Sequence, residues 1–151
     1  AFLICAHDEE GVIGNLIDSI KSQKYPQELM RIFVCADNCT DATAGIARER
    51  GAVVFERVSA QKGKSYALDY ALKKIINEYA EENFEAVFIF DADNLLDCNY
   101  TAEMNKLFDR GFSVATAYRA SKNVGTNWIS AGSSYMFYRE CALVHHSRSV
   151  L

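Results

Sequence analysis

Four short apolar runs set the frame for this chain: Ala1–Ala6, Ile32–Ala36, Ala52–Phe55 and Ala86–Phe90. Each is four to six residues long without polar alternation, the pattern of strands buried on both faces of a parallel sheet. Parallel neighbours need long crossovers, and helical patterns fill the gaps. Val12, Ile13, Leu16, Ile17 and Ile20 line one face of the first, with Asp8, Glu9 and Glu10 around its start, where a helix dipole favours negative charge. A second helix is expected to open near Thr40-Asp41 and close at Gly51. The third and most regular runs from Lys64 to Tyr79, with Leu68, Ala71, Leu72, Ile75, Ile76 and Tyr79 at spacings of three and four. Strand, helix, strand, helix predicts an α/β fold: a Rossmann-like, doubly wound, mostly parallel sheet with helices on both faces.

Beyond Asp93 a helix is expected over Tyr100–Arg110, then strands over Phe112–Tyr118 and Ser133–Tyr138 that join the sheet edge or form a mixed region. No repeat, low-complexity segment or linker interrupts residues 1–151, so one domain is expected. The chain starts inside an apolar run without Met and stops at Val150-Leu151. A piece of a longer protein, truncated on its C-terminal side, is the expectation.

Half of the residues are apolar and 12 % aromatic, which excludes a disordered chain. The formal charge of 16 − 20 = −4 argues against a nucleic-acid partner. That charge is uneven, because residues 1–110 hold 12 basic and 19 acidic groups while residues 111–151 hold 4 basic groups and only Glu140. Five scattered cysteines without a CxxC pair suggest neither a disulfide framework nor a zinc site, and a cytoplasmic setting is the expectation. No apolar run approaches the roughly 18–20 residues of a membrane span.

Ligands of a doubly wound sheet sit outside the carboxyl ends of its strands. There the sequence places His7-Asp8-Glu9-Glu10, then Asp37-Asn38-Cys39-Thr40-Asp41, then Asp91-Ala92-Asp93-Asn94. Carboxylates crowded on one rim need an opposing charge, and a divalent cation with oxygen ligands supplies it. Asp91-Ala92-Asp93, at the mouth of Val87-Phe88-Ile89-Phe90, is the sharpest element, although a solvated acidic turn has the same composition. Asp37 can accept hydrogen bonds from a base or ribose, whereas Asn38, Thr40 and Asp41 are adequately explained as turn and cap residues. Lys64, after Gly63, opens a helix where an anion would bind. No G-x-x-x-x-G-K-[ST] or G-x-G-x-x-G is present, which argues against a P-loop or dinucleotide site. His7, His145 and His146 receive no role, and Trp128, Tyr135, Phe137 and Tyr138 are expected to pack rather than to form a sugar platform.

In order along the chain, these segments resemble the motifs of the family 2 glycosyltransferases, which share the GT-A fold. Cys5-Ala6-His7-Asp8-Glu9-Glu10 is similar to that family's P-A-H/Y-N-E-E, and Ala36–Thr43 to its D-x-S/T-x-D-x-T. Gly63-Lys64-x-x-Ala67-Leu68 is similar to its G-K-x-x-A-L, and Asp91-Ala92-Asp93 to its D-x-D. The chain departs from the pattern at Cys5, in place of proline, and at Asp8, in place of asparagine.

The resemblance implies the N-terminal, nucleotide-sugar-binding part of a catalytic domain. Ala6 and its neighbours, Glu9 among them, would border a uracil or equivalent base, Asp37 would contact base or ribose, and Lys64 would help to hold the nucleotide. Asp91 would lie against the ribose and metal, and Asp93 would ligate Mn²⁺ or Mg²⁺ on the diphosphate. The implied reaction moves a hexose-type sugar from a nucleoside diphosphate, UDP first among the candidates, to a glycan, lipid or other acceptor with inversion. The parent protein would sit at the cytoplasmic face of a membrane through segments absent here. The family's general base lies downstream of the D-x-D; with Glu140 the only acid after Asp109, the base is expected beyond Leu151. Two rivals are a haloacid-dehalogenase-like phosphatase, whose nucleophile and acid would be the D-x-D, and a non-catalytic nucleotide-binding domain.

Overall fold

The computed structural model describes residues 1–117, 120–121 and 124–139. The chain divides into two compact units, Ala1–Lys106 and Leu107–Leu151. The first carries the sheet: β1 (Phe2–Ala6), α1 (Ile13–Lys21), β2 (Ile32–Asp37), α2 (Thr43–Glu49), β3 (Val53–Arg57), α3 (Lys64–Glu78) and β4 (Phe88–Asp91). Helix α4 (Tyr100–Asp109) follows, and α5 (Trp128–Arg139) lies in the second unit. The strand order is β3-β2-β1-β4, with every pair parallel. All four expected strands form, within two residues of their expected ends.

Side chains alternate across β1 and β2 and so supply two cores. Phe2, Ile4, Ile32 and Val34 meet the stripe Ile13, Leu16, Ile17 and Ile20 of α1, joined by Ala47 of α2. On the opposite face Leu3, Phe33 and Phe55 meet Ala67, Ala71 and Ile75 of α3. Phe33 is the hub there, with ring centroids of Tyr79, Phe55 and Phe84 at 4.9, 5.7 and 5.7 Å. Leu16 is fully buried, so Leu16→Ala is expected to cost about 2–5 kcal/mol.

The structure departs from expectation in five places. Helix α3 packs on β1, β2 and β3, so Ile89 of β4 is 47 % exposed and this strand is not buried on both faces. Helix α1 starts at Ile13 with no acid in its first turn; Asp8 and Glu10 instead bond the next loop. Helix α2 starts at Thr43, because Asp41 spends its side chain capping the Thr43 N–H at 2.9 Å. Residues 133–138, expected as a strand, belong to α5. The sequence there is rich in aromatics, but Asn127 and Ser130 cap the helix reciprocally: the Ser130 N–H donates to Asn127 Oδ1 at 2.9 Å and the Asn127 N–H to Ser130 Oγ at 3.2 Å. Residues 112–117 form no strand, small and polar residues there giving little side-chain surface to a ladder; Tyr118 lies outside the described residues.

Candidate functional site

The chain passes from β1 outward to β3 and then crosses to β4 on the other side of β1, so the order reverses between β1 and β4. A crevice outside the strand ends at that reversal is where such sheets bind ligands. In register, Cys5 lies level with Cys35 on one side and Asp91 on the other, and Asp37 is level with Arg57. Ala6, Asp37 and Asp91 end their strands at this rim, all within the first unit. The side chain of Ala6 is buried in the α1 core, so only its backbone can meet a ligand.

The loops after β1 and β2 are tied to each other. Asp8, at φ +52°, accepts the Thr40 N–H at 2.6 Å on Oδ1. The Glu9 N–H donates to the buried Thr43 hydroxyl at 2.8 Å, the Glu10 N–H to Asp41 Oδ2 at 3.0 Å, and the Ala42 N–H to Glu10 Oε2 at 3.0 Å. His7 Nδ1 lies 2.7 Å from the Asp37 carbonyl. Asp41 is pushed up by desolvation, but hydrogen bonds from Thr43 and from the Glu10 backbone outweigh that and hold it below its ordinary value. Glu9 thus contributes to the loop through its backbone, with its side chain half-buried.

Asp37 is buried against Arg57, whose Nη1 donates to Oδ1 at 2.6 Å, and Asn38 Nδ2 donates to the same oxygen at 3.1 Å. Among the described residues both hydrogen bonds to this carboxylate go to Oδ1, so Oδ2 is the acceptor a ligand would use. Beneath this rim Cys35 shares a thiol hydrogen bond with Cys5, which together with burial pushes Cys35 up; the same bond pulls Cys5 down against desolvation.

On the β4 side Lys64 forms an ion pair with Asp91. Gly63 makes this possible: at φ +125° it turns the chain into α3, and its carbonyl accepts the Tyr66 and Ala67 N–H groups at 3.1 and 3.2 Å. Asp93 is exposed two residues on and accepts from Asn94 Nδ2 at 3.1 Å. Asp91 and Asp93 offer hard carboxylate oxygens in a water-accessible place, the donor set a small divalent ion takes when phosphate oxygens and water complete its shell. A separate cluster of metal-capable atoms among the described residues is Asp8, Cys39 and Asp41, within 4.8 Å of one another, but there Asp8 and Asp41 are engaged with loop N–H groups.

A family model described as "Glycosyltransferase like family 2" matches residues 1–151. The chain belongs to the family 2 glycosyltransferases. It is 33 % identical over 99 residues to "Probable glycosyltransferase YdaM" of Bacillus subtilis, covering 61 % of this chain and 22 % of that protein. The fold is similar to that of TarS 1–349 of S. aureus in complex with UDP, at TM-score 0.57 and 16 % identity, covering 81 % of this chain and 38 % of that 1–349 chain. It is also similar to a mannosyltransferase of Pyrobaculum calidifontis in complex with GDP-Man and Mn²⁺, at TM-score 0.51 and 23 % identity over 67 % of this chain and 29 % of that one. This glycosyltransferase chain therefore spans about a fifth to two fifths of the proteins it is compared with. The parallel sheet with its helices is the GT-A arrangement expected from the sequence, and the phosphatase reading falls with the family match.

Arg57 lies outside the family motifs, and nothing in the linear sequence pairs it with Asp37. The signal was present in register: a basic residue ends β3 beside the strand that ends in Asp37. Trp128, at 84 % exposure, and Tyr135, at 69 %, are exposed on α5 rather than packed. Glu140, His145 and His146 lie outside the described residues.

Proposed function

We propose that residues 1–151 are the donor-binding part of a glycosyltransferase that moves a hexose-type sugar from a nucleoside diphosphate sugar, UDP-linked in the first instance, with inversion. The observation that carries this reading is that one rim of the sheet presents a fixed buried acceptor, Asp37, at the end of β2 and, across β1 at the β1/β4 reversal, the carboxylates of Asp91 and Asp93. Ala6 would offer backbone to the base edge and Glu9 would border it, while Asp37 accepts from base N–H or ribose hydroxyl groups. Lys64 leaves Asp91 to meet phosphate at the start of α3, where backbone N–H groups also favour an anion. Asp91 and Asp93 would hold Mn²⁺ or Mg²⁺, which supplies Lewis-acid stabilisation of the leaving diphosphate. The TarS and mannosyltransferase complexes, with UDP and with GDP-Man and Mn²⁺, support this class of donor.

Taking the proton from an acceptor hydroxyl needs a base, worth typically about 10²–10⁴-fold. Asp37, Asp91 and Asp93 are committed to the donor, so the base is assigned to residues beyond Leu151, and this chain by itself is expected to bind donor without efficient transfer. Calorimetry against UDP, GDP and ADP, with Mn²⁺ and with EDTA, tests the binding claim. Tight metal-dependent binding of one nucleotide upholds it, and no binding of any of them removes it. Nucleoside diphosphate release from donor sugars, compared between this chain and the longer parent, tests the second: equal turnover would place the base within residues 1–151.

A further inference from the structure

Arg57 belongs to none of the sequence motifs, yet both halves of the candidate site converge on it. It ends β3 in register with Asp37, and its side chain is 9 % exposed. A guanidinium carries five N–H donors in a fixed plane and can grip two acceptors at once, which a compact ammonium does far less well. Here the acceptors lie on different segments: Nη1 donates to Asp37 Oδ1 at 2.6 Å and Nη2 to the Gln61 carbonyl at 2.9 Å. The guanidinium carbon is also 6.0 Å from the Tyr66 ring centroid, on the first turn of α3.

Among the described residues, the segment between β3 and α3 has little else to hold it. Val58 is 92 % exposed and anchors nothing in the core. Its fixed points are polar and lead back to the end of β2: the Ser59 N–H donates to Asn38 Oδ1 at 2.9 Å, and the Asn38 N–H to the Arg57 carbonyl at 2.7 Å. Gln61 is three residues before Lys64, so the bond to its carbonyl sets where α3 begins and where Lys64 is presented. A buried ion pair is a weak source of net stability, because desolvation offsets its attraction. Its fixed geometry is what distinguishes it.

The geometry points to Arg57 as a positioning residue that couples nucleoside recognition at Asp37 to diphosphate recognition at Lys64, by clamping the end of β2 and the 58–63 segment in one rigid fork. This rests on the reading of Asp37 and Lys64 as donor contacts. Two half-ligands separate the functions: uridine for Asp37, and pyrophosphate with Mn²⁺ for Lys64. Arg57→Met is expected to weaken both by roughly ten- to a hundredfold, the range of a lost charge-assisted hydrogen bond. Arg57→Lys is expected to recover uridine binding to within about threefold, since one ammonium still faces Asp37, and to leave pyrophosphate weak because it cannot also hold Gln61.

Recovery of both ligands by Arg57→Lys, or full pyrophosphate affinity in a folded Arg57→Met protein, overturns the coupling. Thermal melts by circular dichroism accompany the titrations, because Met leaves Asp37 buried without its counter-charge. Should that variant not fold, Asp37→Asn with Arg57→Met removes both charges together, and pyrophosphate affinity equal to that of Asp37→Asn alone overturns the proposal. Hydrogen exchange on the ligand-free protein distinguishes this from the donor-site reading. Arg57→Lys is expected to speed exchange over residues 58–63; unchanged exchange overturns the clamp even where nucleotide binds. Faster exchange in a protein that binds no nucleotide upholds the clamp and removes the donor-site reading instead.

Discussion

The two sides of the candidate donor site are built on different principles. Around Asp37 the contacts are reciprocal and centred on a buried ion pair: Arg57 and Asn38 hold one carboxylate oxygen, while Asp8, Glu10 and Asp41 at the surface, with the buried Thr43, bind the β1 and β2 loops to each other. Around Asp91 the main partner is Lys64, in an ion pair whose side chains are 56 % and 49 % exposed. Exposed pairs of this kind contribute only about 0–1 kcal/mol and exchange readily for other partners, whereas a buried pair is fixed. The difference suits a donor with a constant nucleoside and a highly charged diphosphate. On the proposed reading, rigid acceptors would select the first at low ordering cost, and an adjustable ammonium with a divalent ion held by the two carboxylates would meet the charge of the second.

The sharpest way to break the rigid side is Asp37→Ala. It strands Arg57 as a buried, unpaired cation, expected to lower stability by about 3–5 kcal/mol, read in a urea or thermal melt. Asp37→Asn keeps an oxygen acceptor and so separates folding from recognition: uridine and UDP affinities should fall by similar factors in calorimetry while pyrophosphate is spared. Loss confined to the diphosphate portion would contradict that placement. The adjustable side should respond to its ion instead. Asp93→Ala, or EDTA on the unaltered protein, is expected to remove about 2–4 kcal/mol of UDP binding with no comparable loss of fold stability. Equal titrations with Mn²⁺ and EDTA would sink metal assistance.

Lys64→Met draws the contrast more finely. Because the pair with Asp91 is exposed, the melt should move by less than about 1 kcal/mol, while pyrophosphate affinity falls roughly tenfold through loss of a charge-assisted contact. A large stability loss with unchanged pyrophosphate binding would make Lys64 a structural residue and erase the distinction between the two sides.

That contrast was only half legible in the sequence. Strands β1 to β4 announce themselves through unbroken apolar runs, and local chemistry alone marks α1 by its apolar stripe and the end of α2 by Gly51, at φ +76°. Segments whose state depends on partners read less well. Residues 133–138 carry a strand-like aromatic composition, but the cap formed by Asn127 and Ser130, several positions upstream, accompanies a helix. The rim acids were findable because they follow strands; their division of labour was not. Asp8 and Asp41 are loop fasteners and Asp37 is a clamped acceptor, a distinction set by residues 20 to 32 positions away. Only the register of β2 with β3 pairs Arg57 with Asp37.

The smallest expected effect tests the loop fasteners through pH. Asp41 is half-buried, and hydrogen bonds from Thr43 and the Glu10 backbone outweigh desolvation and lower its folded value. A carboxylate lowered on folding contributes stability that is fully present above its unfolded value, near about 3.9, and lost as pH falls through the folded one. Asparagine at this position retains an acceptor for the Thr43 N–H, but carries no charge and places an NH₂ group where one oxygen accepted from Glu10. Thermal midpoints of the unaltered protein and Asp41→Asn, followed from pH 7 to pH 3, should therefore differ slightly and constantly above about pH 5 and converge below about pH 4. Curves that stay parallel to pH 3 would show that Asp41 is not held by its loop. The rigidity proposed for the nucleoside side would then rest on Asp37, Arg57 and the Asp8–Thr40, Glu9–Thr43 and Glu10–Ala42 contacts.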